Sequence, residues 1–206
     1  MDWLNRQARR VPTWVVYGLG LLPLAFLVWG AVFGGIGPDP VKAIERGLGE
    51  RGLQFLLASL AITPLRRIGL NLLRFRRALG LLSFLYVSLH LTAWVWLDMG
   101  LRWSEMLADL TKRPFVILGM IGFVVMIPLA ATSWNGAIRR IGPVAWNRLH
   151  KLAYVAILAG AVHLALISKI WTTEVLLYLG LALGLLAIRL IPKGAFRRLA
   201  PVRGAT

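Results

Sequence analysis

Residues 150–163 read HKLAYVAILAGAVH. One lysine and eleven uncharged residues separate His150 from His163. No soluble amphipathic helix has this pattern, which lacks a polar stripe recurring every three or four residues. It belongs to an apolar block over 149–168, about the length a helix needs to cross ~30 Å of hydrocarbon. Further blocks lie at about 13–35, 52–65, 79–97, 114–132 and 173–191. Hydrophobic residues make up 58% of the 206. The fold class that follows is an all-α integral membrane protein, a bundle of six transmembrane helices in a single domain.

The 52–65 block is short for a span. Asp39 followed by Pro40 reads as an N-cap with proline at the first helical position. The second helix is therefore expected over 40–65, interfacial at first and entering the bilayer near Gly52, with Pro64 and the basic cluster after it ending it. The opening residues carry cations before an apolar run, as a signal peptide does. The run from Thr13 to about Gly35 exceeds a signal core and lacks an A-x-A site, so it reads as a retained first span.

Charge sorts the loops. Arg6, Arg9 and Arg10, then Arg66, Arg67, Arg74, Arg76 and Arg77, then Arg139, Arg140, Arg148 and Lys151, then Arg189, Lys193, Arg197, Arg198 and Arg203 hold seventeen of the 24 basic residues. The other loops hold seven of the eight acids. The positive-inside rule places both termini in the cytoplasm. Trp29, Trp94, Trp96 and Trp171 fall near outer span ends, Trp134 and Trp146 near inner ones. Gly30-x-x-x-Gly34 and Gly180-x-x-x-Gly184 are expected to be helix-packing spacings. The basic clusters meet anionic lipid rather than nucleic acid.

Several chemistries are excluded. There is no cysteine, hence no disulfide, Fe–S cluster or thiolate metal site. Residues 47–52 (GLGERG) match G-x-G-x-x-G literally, but they lie in a helical stretch with no acid about twenty residues on, so nucleotide binding is not expected. No hydrolase motif occurs.

The three histidines carry the function. An ionisable side chain inside a span costs a few kcal/mol and marks a site by default. His90 lies eleven residues into the third span and His163 fourteen into the fifth, so at ~1.5 Å per residue both fall in the outer half at one level. Two neutral imidazoles at one depth suit bis-histidine haem ligation. The alternative is a pair of imidazoles bonded to neighbouring helix carbonyls. Ala156, Ala159 and Gly160 are expected to leave room for the macrocycle, with Phe84, Tyr86 and Trp94 lining it. Zinc fits less well, since no carboxylate is expected at that depth.

His150 lies ~20 Å from His163 along the axis and roughly 140° around an ideal helix. A bulge near Gly160 would reduce that angle. Opposite it the third span offers Arg77 and Arg76, not histidine. This inner site is open between a second haem with an unusual ligand, a quinone or flavin site where His150 handles protons, and an interfacial histidine.

The segments R76-RALGLLSFLYVSLH-90 and W146-NRLHKLAY-154 resemble the ferric-reductase-like transmembrane domain shared with NADPH oxidases. More narrowly, residues 39–50 (DPVKAIERGLGE), 62–67 (ITPLRR) and 112–120 (KRPFVILGM) resemble the MsrQ (YedZ) family, haem-binding membrane subunits of methionine sulfoxide reductase systems. The resemblance spans roughly 38–170. It implies haem b, FMN, and electrons drawn from the quinone pool or a cytosolic flavin reductase. It also implies a periplasmic molybdopterin partner, MsrP, which performs the sulfoxide chemistry. His90, His150 and His163 fall on the family's histidine positions. The arginine where the oxidases carry an inner histidine departs from the wider pattern.

About fifteen residues follow the last span, so no FAD/NADPH domain is expected. The basic face with Arg66, Arg67, Arg74, Arg139, Arg140, Trp146 and Arg148 is the candidate surface for quinol, flavin or donor protein, and the acidic outer loops are the candidate docking surface for the partner. The competing readings are a stand-alone ferric or cupric reductase, a transporter with a histidine relay, and a structural anchor.

Overall fold

The computed structural model describes residues 1–192; Lys193, Arg197, Arg198 and Arg203 lie outside the described residues. Those described form ten α-helices and no strand. They are α1 (Asp2–Arg10), α2 (Thr13–Phe33), α3 (Pro40–Arg67), α4 (Arg76–Ala93), α5 (Trp103–Lys112), α6 (Pro114–Ala131), α7 (Asn135–Ile141), α8 (Pro143–Leu149), α9 (Leu152–Ile167) and α10 (Thr173–Leu190). Five helical stretches are long and apolar enough to cross a membrane: Thr13–Phe33, Leu73–Asp98, Pro114–Ala131, Pro143–Ile167 and Thr173–Leu190. The longest helix, α3 with 28 residues, is not among them, because its first half carries Lys42, Glu45, Arg46, Glu50 and Arg51.

Local chemistry sets the ends. Asp39 accepts a hydrogen bond from the Lys42 amide at 3.1 Å with Pro40 at the first helical position, the start anticipated for α3. Pro64 lies inside this helix, which ends at Arg67 in the basic cluster that follows, before Gly69 at φ 100°. Proline lacks an N–H, so the Leu60 carbonyl one turn back loses its helical partner. Arg189 of α10 donates to it instead, at 2.7 Å. In α2 the Tyr86 hydroxyl donates to Gly20 O (2.8 Å) and accepts from the Leu24 amide (2.9 Å), an insertion into the ladder beside Pro23.

Two antiparallel pairs, α3 with α4 and α6 with α9, form the centre of the bundle; α10 packs on α9, and α2 on α4 and α3. Small residues permit the close approach. A Cβ on Gly52 would sit 2.7 Å from Val87, and the buried Ser83 hydroxyl donates to Gly52 O at 2.7 Å. A Cβ on Gly122 would touch Ala159 at 3.6 Å. Leu53, Leu56, Leu57 and Leu60 of α3 meet Met126, Ile157 and Tyr178 in the main core. Among the described residues the expected G-x-x-x-G pairs are not helix contacts. Gly180 and Gly184 meet no described neighbour, and Gly34, at φ 87°, ends α2.

Both described chain ends lie at one end of the bundle. Asn5 bonds Gly69 O and the Asn71 amide, both at 2.8 Å, and Arg67 bonds Ile188 O at 2.9 Å. Arg66 to Arg77 occupy this arginine end.

Candidate functional site: an imidazole pair and an arginine-lined cavity

The long antiparallel pairing brings His90 of α4 and His163 of α9 together at the far end, with ring centres 6.2 Å apart and planes crossed at 81°. Each ring is fixed in the same way. His90 Nδ1 lies 2.8 Å from Glu45 O on α3, and His163 Nδ1 lies 2.7 Å from Phe115 O on α6. A carbonyl only accepts, so each Nδ1 carries the proton and each Nε2 keeps its lone pair. No hydrogen bond among the described residues engages either Nε2. Each ring also rests against a glycine one turn beyond its carbonyl. A Cβ on Gly49 would stand 3.1 Å from His90 Nδ1, and one on Gly119 3.0 Å from His163 Nδ1.

The cradle is therefore built twice, Glu45–Gly49 under His90 and Phe115–Gly119 under His163. The glycine exposes the carbonyl to the ring. Gly49 belongs to the GLGERG segment, whose glycines are packing positions inside α3. Gly47 faces Leu27, Gly49 His90 and Gly52 Val87.

The 6.2 Å separation is close to that of two imidazoles coaxial on one metal. An imidazole nitrogen lies about 2 Å from a bound first-row metal and about 1.2 Å from its own ring centre, so coaxial ligands hold ring centres about 6.4 Å apart. Crossed planes are tolerated, because each ring can turn about its metal–nitrogen axis. Among the described residues no group of three or more His, Asp or Glu converges on a point, so a macrocycle would have to supply the equatorial donors.

Three expectations about the surroundings change. Tyr86 does not line this site: fully buried, its ring meets Phe55 at 5.3 Å and its hydroxyl is spent on α2. Ala156, Ala159 and Gly160 are consumed by packing, Gly160 against Leu53 and Ala159 against Gly122. A carboxylate does come near. Glu45 is buried, but its side chain pairs with Lys42 at 3.3 Å, which also holds Asp98 at 2.8 Å.

At the arginine end a cavity of about 280 Å³ opens between α3, α4, α6 and the α8–α9 junction. Its lining includes Arg76, Arg77, Trp146, His150, Ser59 and Phe84. The α9 helix has no bulge at Gly160. The chain instead turns at His150–Lys151 before α9 begins at Leu152. His150 stacks on Trp146, with centres 3.8 Å apart and planes at 24°. Its Nε2 lies 3.1 Å from Thr132 Oγ1, whose own proton goes to Pro128 O at 2.7 Å. Thr132 must then accept, so Nε2 carries the proton and Nδ1 is left open. Arg77 donates to Asn135 at 2.6 Å.

The other basic candidates do not join this cavity. Arg66, Arg139, Arg140 and Arg148 are exposed. Arg67 bonds carbonyls at the end of α10, and Arg74 those of Ala8 and Arg9 at the end of α1, the favourable place for cations on a helix. Phe84, in the cavity wall, stacks on Phe123 with centres 5.8 Å apart. Phe123 lies one turn beyond Gly119, so the stacked rings stand between the two sites.

The outer loops are not acidic in the folded chain. Their seven acids face seven bases, and Glu45, Glu50, Asp98, Glu105, Asp109 and Glu174 all enter ion pairs. Sequence reasoning missed Glu45, Phe115, Gly49, Gly119, Thr132 and Arg189. Only the four-residue step from carbonyl to glycine could have pointed to the cradles, and only once each histidine's partner helix was known.

Fold and site together define a helical membrane protein organised around a histidine pair. The chain matches the family described as ferric reductase like transmembrane component over residues 48–161. It is 42% identical over 186 residues to the protein-methionine-sulfoxide reductase heme-binding subunit MsrQ of Brucella anthropi, covering 90% of this chain and 84% of that protein. It is equally similar, 42% over 178 residues, to the subunits of that name from Brucella ovis and Brucella canis, covering 86% of this chain and 80% of theirs. No solved structure matches. The chain belongs to the ferric-reductase-like transmembrane family, in its MsrQ branch.

Proposed function

We propose that this protein is a haem b membrane subunit that passes electrons across the bacterial inner membrane to a periplasmic molybdopterin methionine sulfoxide reductase. The observation that carries the reading is the 6.2 Å imidazole pair with both Nδ1 atoms tied to carbonyls. His90 and His163 would hold the iron through Nε2, with the Glu45 and Phe115 carbonyls fixing ring orientation and tautomer, as outer hydrogen bonds do for metal-ligating histidines. Haem supplies reversible one-electron chemistry. The names of the relatives support haem, and the partner comes from the same resemblance.

In this reading α3 is the sixth span, crossing with its apolar half, and the arginine end is cytoplasmic by the positive-inside rule. The cavity beside His150 and Trp146 is the electron-entry site, taking a quinone, FMN or a second haem with Arg76 or Arg77 opposite His150. Donor-side protons reach His150 there. Exposed Arg66, Arg139, Arg140 and Arg148 face the cytoplasmic donor and anionic lipid. The paired charges of the far end receive the partner by shape and hydrogen bonding rather than by a negative field.

The test is a dithionite-reduced minus oxidised spectrum of the purified full chain, with haem quantified per chain. A b-type spectrum lost in His90→Ala and in His163→Ala supports the reading. A colourless wild type from haem-supplied cells sinks it.

A further inference from the structure

Arg189, near the end of α10, points into the bundle rather than out to the headgroups. Its Nη2 donates to Leu60 O at 2.7 Å and its Nη1 to the Tyr154 hydroxyl at 2.9 Å, with the guanidinium 4.7 Å over the Tyr154 ring. Its Nε is buried and has no hydrogen-bond partner among the described residues. Leu60 lines the cavity, as do Ala153 beside Tyr154 and Arg76, so Arg189 lies behind the wall that carries Arg76.

Among the described residues no carboxylate pairs with either cation. Seven of the eight acidic side chains fall at residues 39–50, 98–109 and 174, where α3 and α10 begin and α4 ends, the opposite end of the bundle. Among the described residues neither Arg76 nor Arg189 enters an ion pair. Two like charges in a weakly polar wall are costly until something neutralises them.

We infer that the cavity is completed by a carboxylate or phosphate group of its ligand, held between the guanidinium groups of Arg76 and Arg189. This rests on reading the cavity as a cofactor site, and it deepens that reading. A neutral quinol brings no such group, whereas the propionates of haem and the phosphate of a flavin mononucleotide do. Arg189 Nε is then a donor awaiting that oxygen. Charge-assisted hydrogen bonds of this kind are the strong ones.

The test compares charged ligands with neutral twins on the full chain in detergent: haem against haem dimethyl ester, and FMN against riboflavin. In the wild type at least one charged form is expected to bind about tenfold or more tightly than its twin, the usual size of a hydrogen bond to a charged group. That preference should fall below about twofold in Arg189→Gln and in Arg76→Gln, with Arg189→Lys between. Gln at 189 can still donate to Leu60 O, and the haem spectrum of the distant histidine pair reports folding independently. Equal binding of both twins in the wild type, or a preference surviving both Gln variants, overturns the inference. Phospholipid phosphorus that co-purifies and is lost in both variants, without discrimination between twins, also overturns it, in favour of a lipid headgroup. Loss of the histidine-pair haem from the wild type would count against the proposed function instead.

Discussion

The two ends of the bundle hold histidine in opposite ways. At the far end, two rings on different helix pairs are pinned at Nδ1 by main-chain carbonyls, each laid on a glycine, and offer Nε2. At the arginine end, a single ring stacks on Trp146, gives its Nε2 proton to a hydroxyl and leaves Nδ1 open. A carbonyl in a rigid helix cannot reorient, so each ring of the far pair is held in one orientation with Nε2 free. Thr132 can rotate, and cations surround His150, so the inner ring sits where proton exchange and ligand entry are possible.

The largest effect that would break this contrast is loss of the ligands. His90→Ala or His163→Ala is expected to abolish the b-type signal of the far site, while His150→Ala leaves it intact. If the His150 variant loses the same haem, the two ends are not separate sites.

Next in size is the cradle. Gly49→Val and Gly119→Val press a side chain against Nδ1, since even a Cβ would stand at 3.1 and 3.0 Å. Haem retention should weaken about 10- to 100-fold, the usual cost of disturbing a ligand's outer partner. Measuring haem transfer to apomyoglobin reads this directly, and unchanged transfer in both variants would show that the carbonyls do not orient the rings.

A smaller effect is expected at Thr132. Thr132→Val removes the acceptor for His150 Nε2–H, worth about 1 kcal/mol. Nitrogen NMR of the imidazole should show the Nε2–H tautomer in the wild type and a mixture in the variant, and a wild-type ring protonated at Nδ1 would contradict the assignment. The smallest is Asp39→Ala, which removes the cap of α3 and should cost about 1 kcal/mol of stability. Haem content should not change. If it does, the Glu45–Gly49 cradle depends on the helix start and not on its own packing.

Much of this was legible in the chain. The start of α3 at Pro40 follows from Asp39 and proline stereochemistry, and the common depth of His90 and His163 follows from counting residues at the helical rise. Other features were not legible. Pro64 reads as part of the stop, yet it lies inside α3, where Arg189, 125 residues later, takes the carbonyl that proline leaves open. The small residues near His163 read as room for a macrocycle, and packing of α9 on α6 and α3 uses them up. Tyr86 reads as a cofactor neighbour and is spent on α2.

The sequence by itself determined the membrane class, the start of α3, the sorting of charge and the common level of His90 and His163, since hydropathy, caps and rise per residue act locally. Only the tertiary structure decided which carbonyl and which glycine each imidazole meets, which nitrogen is left free, and which arginines share a cavity. Those depend on how helices far apart in the chain lie against one another, and a one-residue rotation of α3 or α6 would erase them without changing hydropathy at all.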